Sequence, residues 1–160
     1  MATNFFSLAT AAALRTPSTL LPSLSVDLPL IARHYRQLAL SVNTSCVTAI
    51  GNDYVFDQVF SRQLEALARQ GDIGLGFSTS GNSPNVLRGI STAKKLGLHT
   101  VAFTGSSGGK LKHAANLDLC ICAPSSDTPR IQECHILIGH IVSELVEQEL
   151  FHAQGRISGS

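Results

Sequence analysis

The chain has 160 residues, a formal net charge of +1, 44% hydrophobic residues and only 14% charged ones. That length suits one domain with a buried core, and so apolar a composition excludes general disorder. The near-zero charge leaves no basic field for nucleic acid, and no apolar run approaches the ~18 residues of a membrane span. The scarcity of charge favours a subunit that buries surface against copies of itself.

Residues 1–26 hold no acid and a single base, Arg15, and are rich in Ala, Ser, Thr and Leu. Such a segment resembles an organellar transit peptide, with a divergent amino terminus as the alternative reading. The domain is expected over 27–153, followed by a tail at 154–160. RQLALSV (36–42) reads as a strand. Residues 54–69 carry apolar side chains at 55, 56, 59, 60, 64 and 67, which is helical spacing. GDIGLGFS (71–78) reads as a strand, PNVLRGISTAKKLG (84–97) as a helix, and HTVAFTG (99–105) as a strand. GSSGGK follows as a flexible loop, then LDLCICA (117–123) as a strand and residues 129–151 as a long final helix.

Strands built from continuous apolar runs and alternating with helices predict a parallel sheet covered on both faces. Ligands of such sheets sit at the carboxyl ends of the strands, which directs attention to the loops at 78–83, 104–110 and 124–129. The cysteines are Cys46, Cys120, Cys122 and Cys134, with no CxxC pair. They read as buried free thiols of a reducing compartment, Cys120 and Cys122 sharing one face of a strand.

The most informative segment is Ser78-Thr79-Ser80-Gly81-Asn82-Ser83-Pro84. It follows a strand and opens a helix, with Ser83 at the N-cap, Pro84 at the first helical position and Gly97 just past the end. Bare N–H groups, the positive end of the helix dipole and clustered hydroxyls suit a phosphate, and Gly81 permits close backbone approach. A Ser-rich capping turn is the competing reading. No Lys stands at the P-loop position, which excludes a nucleotide triphosphatase of that type.

STSGNS in this setting resembles the phosphate loop of sugar isomerase (SIS) domains. Three further segments, TAIGNDYVFDQVFSRQLEALARQGD (48–72), AFTGSSGGKL (102–111) and SSDTPRIQECHILIGHIVSELVEQELF (125–151), are similar to the phosphoheptose isomerase branch. The resemblance implies a three-layer α/β/α sandwich with a mostly parallel sheet, flavodoxin-like, here N-terminally incomplete. It implies isomerisation of D-sedoheptulose 7-phosphate to D-glycero-D-manno-heptose 7-phosphate, a homotetramer with active sites at subunit interfaces, zinc as a metal, no organic cofactor and a cytoplasmic location (organellar if 1–26 is a transit peptide). By position, Ser78, Thr79, Ser80 and Ser83 match phosphate contacts, and Asn52 and Asp53 a pair that contacts the sugar. Gln132 matches a substrate and metal contact, and His140 the catalytic histidine and metal ligand.

Aldose–ketose isomerisation moves a proton between adjacent carbons through an enediol, and an imidazole, which titrates near neutrality, can carry it. Gln132 lies ~80° from His140 around the helix, Glu133 almost directly beneath His140, and His135 ~140° away, which separates the two histidines. The family's GNGGSAAD-like loop, its first strand and the following helix with a metal-binding His and a catalytic Glu have no counterpart here. Glu65, Glu133 and His34 do not match those positions, and Asp127 stands farther from Gln132 than the family's Asp. A noncatalytic SIS-domain module that binds a sugar phosphate or a protein, as one relative binds the replication initiator, is the alternative function.

Overall fold

The computed structural model describes residues 38–148. The transit-like segment, the expected domain start at 27, His34 and the tail lie outside the described residues. So do the first residues of the strand expected at 36–42. The described part of that segment is not a strand. Val42 donates its N–H to the Ala39 carbonyl in a turn (3.3 Å), and the Leu40 carbonyl accepts from Gln63 Nε2 (2.9 Å). Leu40, 3% exposed, joins the core by packing rather than by strand pairing. Its apolar neighbours gave a strand-like run, but the backbone partner is a side chain on a helix.

Helix α1 (Thr44–Asp53) follows. It is absent from the sequence expectations for a physical reason: it buries no residue completely and so carries only a weak apolar stripe. Its readable signal is Asn43, whose side chain caps the first turn by accepting from the Cys46 N–H at 3.0 Å. A single 3-10 turn (Phe56–Gln58) then leads into α2 (Val59–Leu67). The buried face of α2 comprises Val59, Phe60, Ser61, Gln63 and Leu64. Val55 and Phe56, expected on the same stripe, are instead exposed, because the chain enters α2 through that tight turn, and Leu67, the last residue of α2, is exposed as well.

The sheet is parallel and three-stranded in the order β1 (Ile73–Ser78), β2 (His99–Thr104), β3 (Leu119–Cys122). Helix α3 (Pro84–Lys95) connects β1 to β2, and a four-residue helix, α4 (Gly109–Lys112), precedes β3. Helix α3 ends where sequence predicts: Gly97 takes a left-handed φ of 79° and donates to the Lys94 carbonyl at 3.0 Å. Gly74 and Gly76 turn toward α3, where an added Cβ would meet Ala93, Val86 and Ile90 at 3.0–3.1 Å. These glycines let the helix lie close on the strand. Phe77 and Phe103 project from the opposite face, stacked at 4.7 Å, and meet a side chain of α5 (Thr128–Glu147). Helices therefore cover both faces of the sheet, and the expected α/β/α layering holds. Among the described residues, β1 and β3 are the edges. No described helix is long and apolar enough to cross a membrane.

One electrostatic clasp fixes the far end of β2. Asp118 accepts from Lys94 Nζ, from the Thr100 N–H at 2.8 Å and from Thr100 Oγ1 at 3.0 Å. The Lys94 hydrogen bond foremost, with those of Thr100, lowers the carboxyl from 3.8 to about 2. A depressed folded-state pKa gives stability that is complete above the unfolded value and lost as pH falls toward the folded one. Acid titration of the melting temperature should therefore show a loss of stability between about pH 4 and pH 2 that Asp118→Asn removes, leaving the variant less stable at neutral pH.

Candidate functional site

The register aligns the carboxyl ends of the strands: Ser78 pairs with Thr104, and Thr104 with Cys122. The three loops expected to carry function leave from this one edge. They are tied by their backbones. Gly105 donates its N–H to the Thr79 carbonyl at 3.0 Å, and Ser106 donates to the Ser125 carbonyl at 2.9 Å. The first two loops interlock further. Leu111 N–H donates to the Gly81 carbonyl and Lys110 N–H to Asn82 Oδ1, both at 3.0 Å. Gly81 has φ +66°, and a Cβ there would lie 2.0 Å from the Gly108 carbonyl oxygen. The stretch expected as a flexible loop is thus pinned by these bonds and by Leu111, which is fully buried in α4.

The hydroxyls form a gradient from core to solvent. Ser78 is buried, Thr79 and Ser83 are half-buried, and Ser80 is exposed beside exposed Asn82. Ser78 Oγ and Ser83 Oγ share a hydrogen bond of 2.8 Å, while Ser80 Oγ accepts from the Asn82 N–H at 3.1 Å. Ser83 occupies the N-cap as expected, but its side chain makes no cap bond, because its hydroxyl is turned toward Ser78. At the start of the twelve-residue helix α3 the Val86 N–H is met instead by Asn85 Oδ1 at 2.9 Å, and the Leu87 N–H by the Ser83 carbonyl at 3.0 Å. An anion resting on the loop would meet the positive end of the helix dipole. An apolar cleft of about 290 Å³ lined by Phe60, Leu64, Gly76, Val86 and Ile90 runs along β1 and has no polar lining side chain. It does not hold the chemistry.

The other sequence-named residues are not gathered around this loop. Asn52 and Asp53 end α1 and are exposed, with no hydrogen bond to the loop. Gln132 is half-buried on α5 and already engaged with a partner. His140 is exposed two turns farther on. It stands ~13 Å along the helix from Ile131, at ~1.5 Å per residue. Ile131 is the residue that packs where α5 meets Gly105. Glu133 does not orient His140: it pairs with Arg130 Nη2 at 2.7 Å. Asp127 occupies the N-cap of α5 without a side-chain cap bond and lies 3.9 Å from Arg130 Nε.

Zinc would need more than this. Among the described residues no group of three His, Cys, Asp or Glu side chains is placed to hold a metal. Gln132 and His140 alone fall short of the four-coordinate geometry zinc adopts. The described residues do not fit the ion.

Sequence reasoning set His135 apart from His140 but gave it no task. It is 5% exposed, donates from Nε2 to the Thr104 carbonyl at 3.1 Å, and rests its ring against Phe77 and Phe103, each at 5.8 Å. A carbonyl only accepts, so the ring carries its proton on Nε2. His135 fastens α5 to the carboxyl end of β2. The readable signal was its position on the buried stripe with Ile131.

Comparison with known proteins agrees with this geometry. Residues 30–105 match the model of the SIS domain. The phosphoheptose isomerase of Sulfurimonas denitrificans is 54% identical over 114 residues, covering 71% of this chain and 57% of the relative. That of Geobacter sp. (strain M21) is 56% identical over 114 residues, covering 71% of this chain and 58% of the relative. Over these stretches the chain is similar to the SIS domain and to the phosphoheptose isomerases. The phosphoheptose isomerase GmhA from Neisseria gonorrhoeae shares its fold with a TM-score of 0.66 and 45% identity, over 68% of this chain and 61% of that one. A phosphoheptose isomerase from Francisella tularensis gives a TM-score of 0.66 at 37% identity, over 69% of this chain and 61% of that one. The chain thus spans about three-fifths of the length of these SIS relatives.

Gly81→Ala should destabilise the fold by more than about 2 kcal/mol, since it adds left-handed strain to a backbone clash. Ser80→Ala, on the exposed rim, should leave the melting temperature within about 1 °C, as surface changes do. Thermal melts of both variants check the pair.

Proposed function

We propose that this chain binds a sugar phosphate on the Ser78–Ser83 loop and serves a sugar-phosphate isomerase of the phosphoheptose class. The reaction is the interconversion of D-sedoheptulose 7-phosphate and D-glycero-D-manno-heptose 7-phosphate. The observation that carries the reading is the hydroxyl-lined loop at the start of α3, where Ser83 is turned away from its cap. The phosphate would accept from the hydroxyls of Thr79, Ser80 and Ser83 and lie at the positive end of the α3 dipole. Ser78, through its bond to Ser83, would position the latter. Held this way, the phosphate anchors one end of the sugar and leaves the reacting carbons free to meet a proton carrier.

His140 is that carrier in this reading. It takes the proton from C1 of the ketose as the C2 oxygen gains one, giving the enediol; a proton then returns to C2 as the C1 hydroxyl loses its own, which leaves the aldehyde at C1. No atom is gained or lost. Its exposure on the side of α5 away from the sheet supports a site completed by another copy of the chain. Ile136, Leu137, Ile141 and Leu145, exposed at 47–60%, flank His140 and give that contact an apolar surface. The assembly we propose is the homotetramer, working in the cytoplasm, with Asn52, Asp53 and Gln132 contacting the sugar.

A noncatalytic SIS module that binds a sugar phosphate is the second reading. It is favoured by the lack of any carboxylate bonded to His140 among the described residues.

Ser83→Ala should weaken the binding of sedoheptulose 7-phosphate by about 10-fold or more, the effect of one hydrogen bond to a charged group, as read by calorimetry. His140→Ala should leave that binding intact and abolish turnover in an isomerase assay. Binding without turnover in the wild-type chain would select the module. Failure of the phosphate to bind at all would overturn both readings.

A further inference from the structure

Cys120 and Cys122 lie outside the phosphate site, at alternate positions of β3, and both are half-buried free thiols. They share a face, as the period of a strand requires, and their Sγ atoms are 3.9 Å apart. Alternate residues of a strand set their Cβ atoms ~6.6 Å apart, at ~3.3 Å rise per residue. A disulfide needs about 3.5–4.5 Å between Cβ atoms, so the pair cannot close on itself while β3 stays paired with β2. A single bridging atom has no such difficulty. Two metal–sulfur bonds of ~2.3 Å span up to ~4.6 Å, which brackets the observed separation.

The surroundings suit a soft cation of low coordination number. Thr104, fully buried on β2, places its Oγ1 3.3 Å from Cys122 Sγ and 3.8 Å from Cys120 Sγ, within reach of both sulfurs. No third His, Cys, Asp or Glu joins the cluster among the described residues, which disfavours a four-coordinate ion such as zinc. Among the described residues β3 is an edge strand, so an ion has a path to the sulfurs. We propose that Cys120 and Cys122 form a two-thiolate site for a soft monovalent d10 cation, Cu(I), with the Thr104 hydroxyl as its neighbouring polar group. Two S–H bonds break, two S–Cu bonds form, two protons pass to solvent, and copper stays Cu(I) throughout. The nearby charge of Lys112 offsets the net negative charge that the filled site acquires.

The test uses the full wild-type chain under anaerobic conditions with chelator-buffered Cu(I). Native mass spectrometry should show one copper per chain. Alkylation followed by peptide mapping should show Cys120 and Cys122 protected together, with Cys46 and Cys134 labelled at unchanged rates. Cys122→Ser should lose the copper while His140→Ala keeps it. Protection of Cys46 or Cys134 instead, no protection at all, or copper retained in Cys122→Ser would overturn the proposal. If the serine variant fails to fold, the labelling pattern of the wild-type chain decides alone.

Discussion

The close backbone contact between Gly81 and the Gly108–Gly109 turn is the constraint on which the carboxyl edge of the sheet depends. A side chain on Gly81 would collide with the Gly108 carbonyl, and one on Gly109 would reach the Ser80 carbonyl at 2.3 Å. Only because both lack a Cβ can Leu111 and Lys110 offer their N–H groups to the first loop. Those bonds hold the loop that presents the hydroxyls, and Leu111 anchors the arrangement in the core. Gly105 extends the same logic to α5, since a Cβ there would strike Ile131 Cδ1 at 2.6 Å. Rigid placement of the hydroxyl-lined loop thus rests on glycines of one loop and the backbone donors of the next.

The molecule is less self-sufficient around His140. The amino-terminal half of α5 is secured by Ile131 and His135, both at most 5% exposed. Farther along, Ile141, Val142 and Leu145 are 44–57% exposed, and His140 lies among them. A helix face this apolar gains by being covered, since each square ångström of apolar surface removed from water contributes roughly 25 cal/mol. One half of α5 therefore serves the fold of the chain, and the other half presents an apolar face and His140 outward.

Much of this architecture was legible from particular residues. Gly71-Asp72 before β1, Pro84 and Gly97 around α3, and the Gly-rich stretch after β2 mark boundaries that backbone stereochemistry enforces, and the structure keeps them. The hydroxyl-lined loop between β1 and α3 was legible because hydroxyls, a glycine and a helix start in one short segment make a local pattern. The strand expected at 36–42 failed because an apolar run says only that a segment is buried. Whether its carbonyl meets a neighbouring strand or the Gln63 amide is decided by what packs beside it. Helix α1 escaped notice because its apolar residues, Val47 and Ile50, only partly enter the core.

By itself the sequence determined the alternation of strand and helix, the parallel sheet that follows from it, and the hydroxyl loop at its carboxyl edge, because these depend on periodicity and on residues with special backbone freedom. Length and low charge raised the expectation of a domain that buries surface against copies of itself; the tertiary structure shows an exposed apolar face on α5. The tertiary structure alone decided that Ser83 turns from its cap toward Ser78, that His135 faces inward while His140 faces out, and that two thiols stand 3.9 Å apart. Each of these is a relation between side-chain directions, which are set by the packing of elements distant in the chain and have no signature in the local pattern of residues.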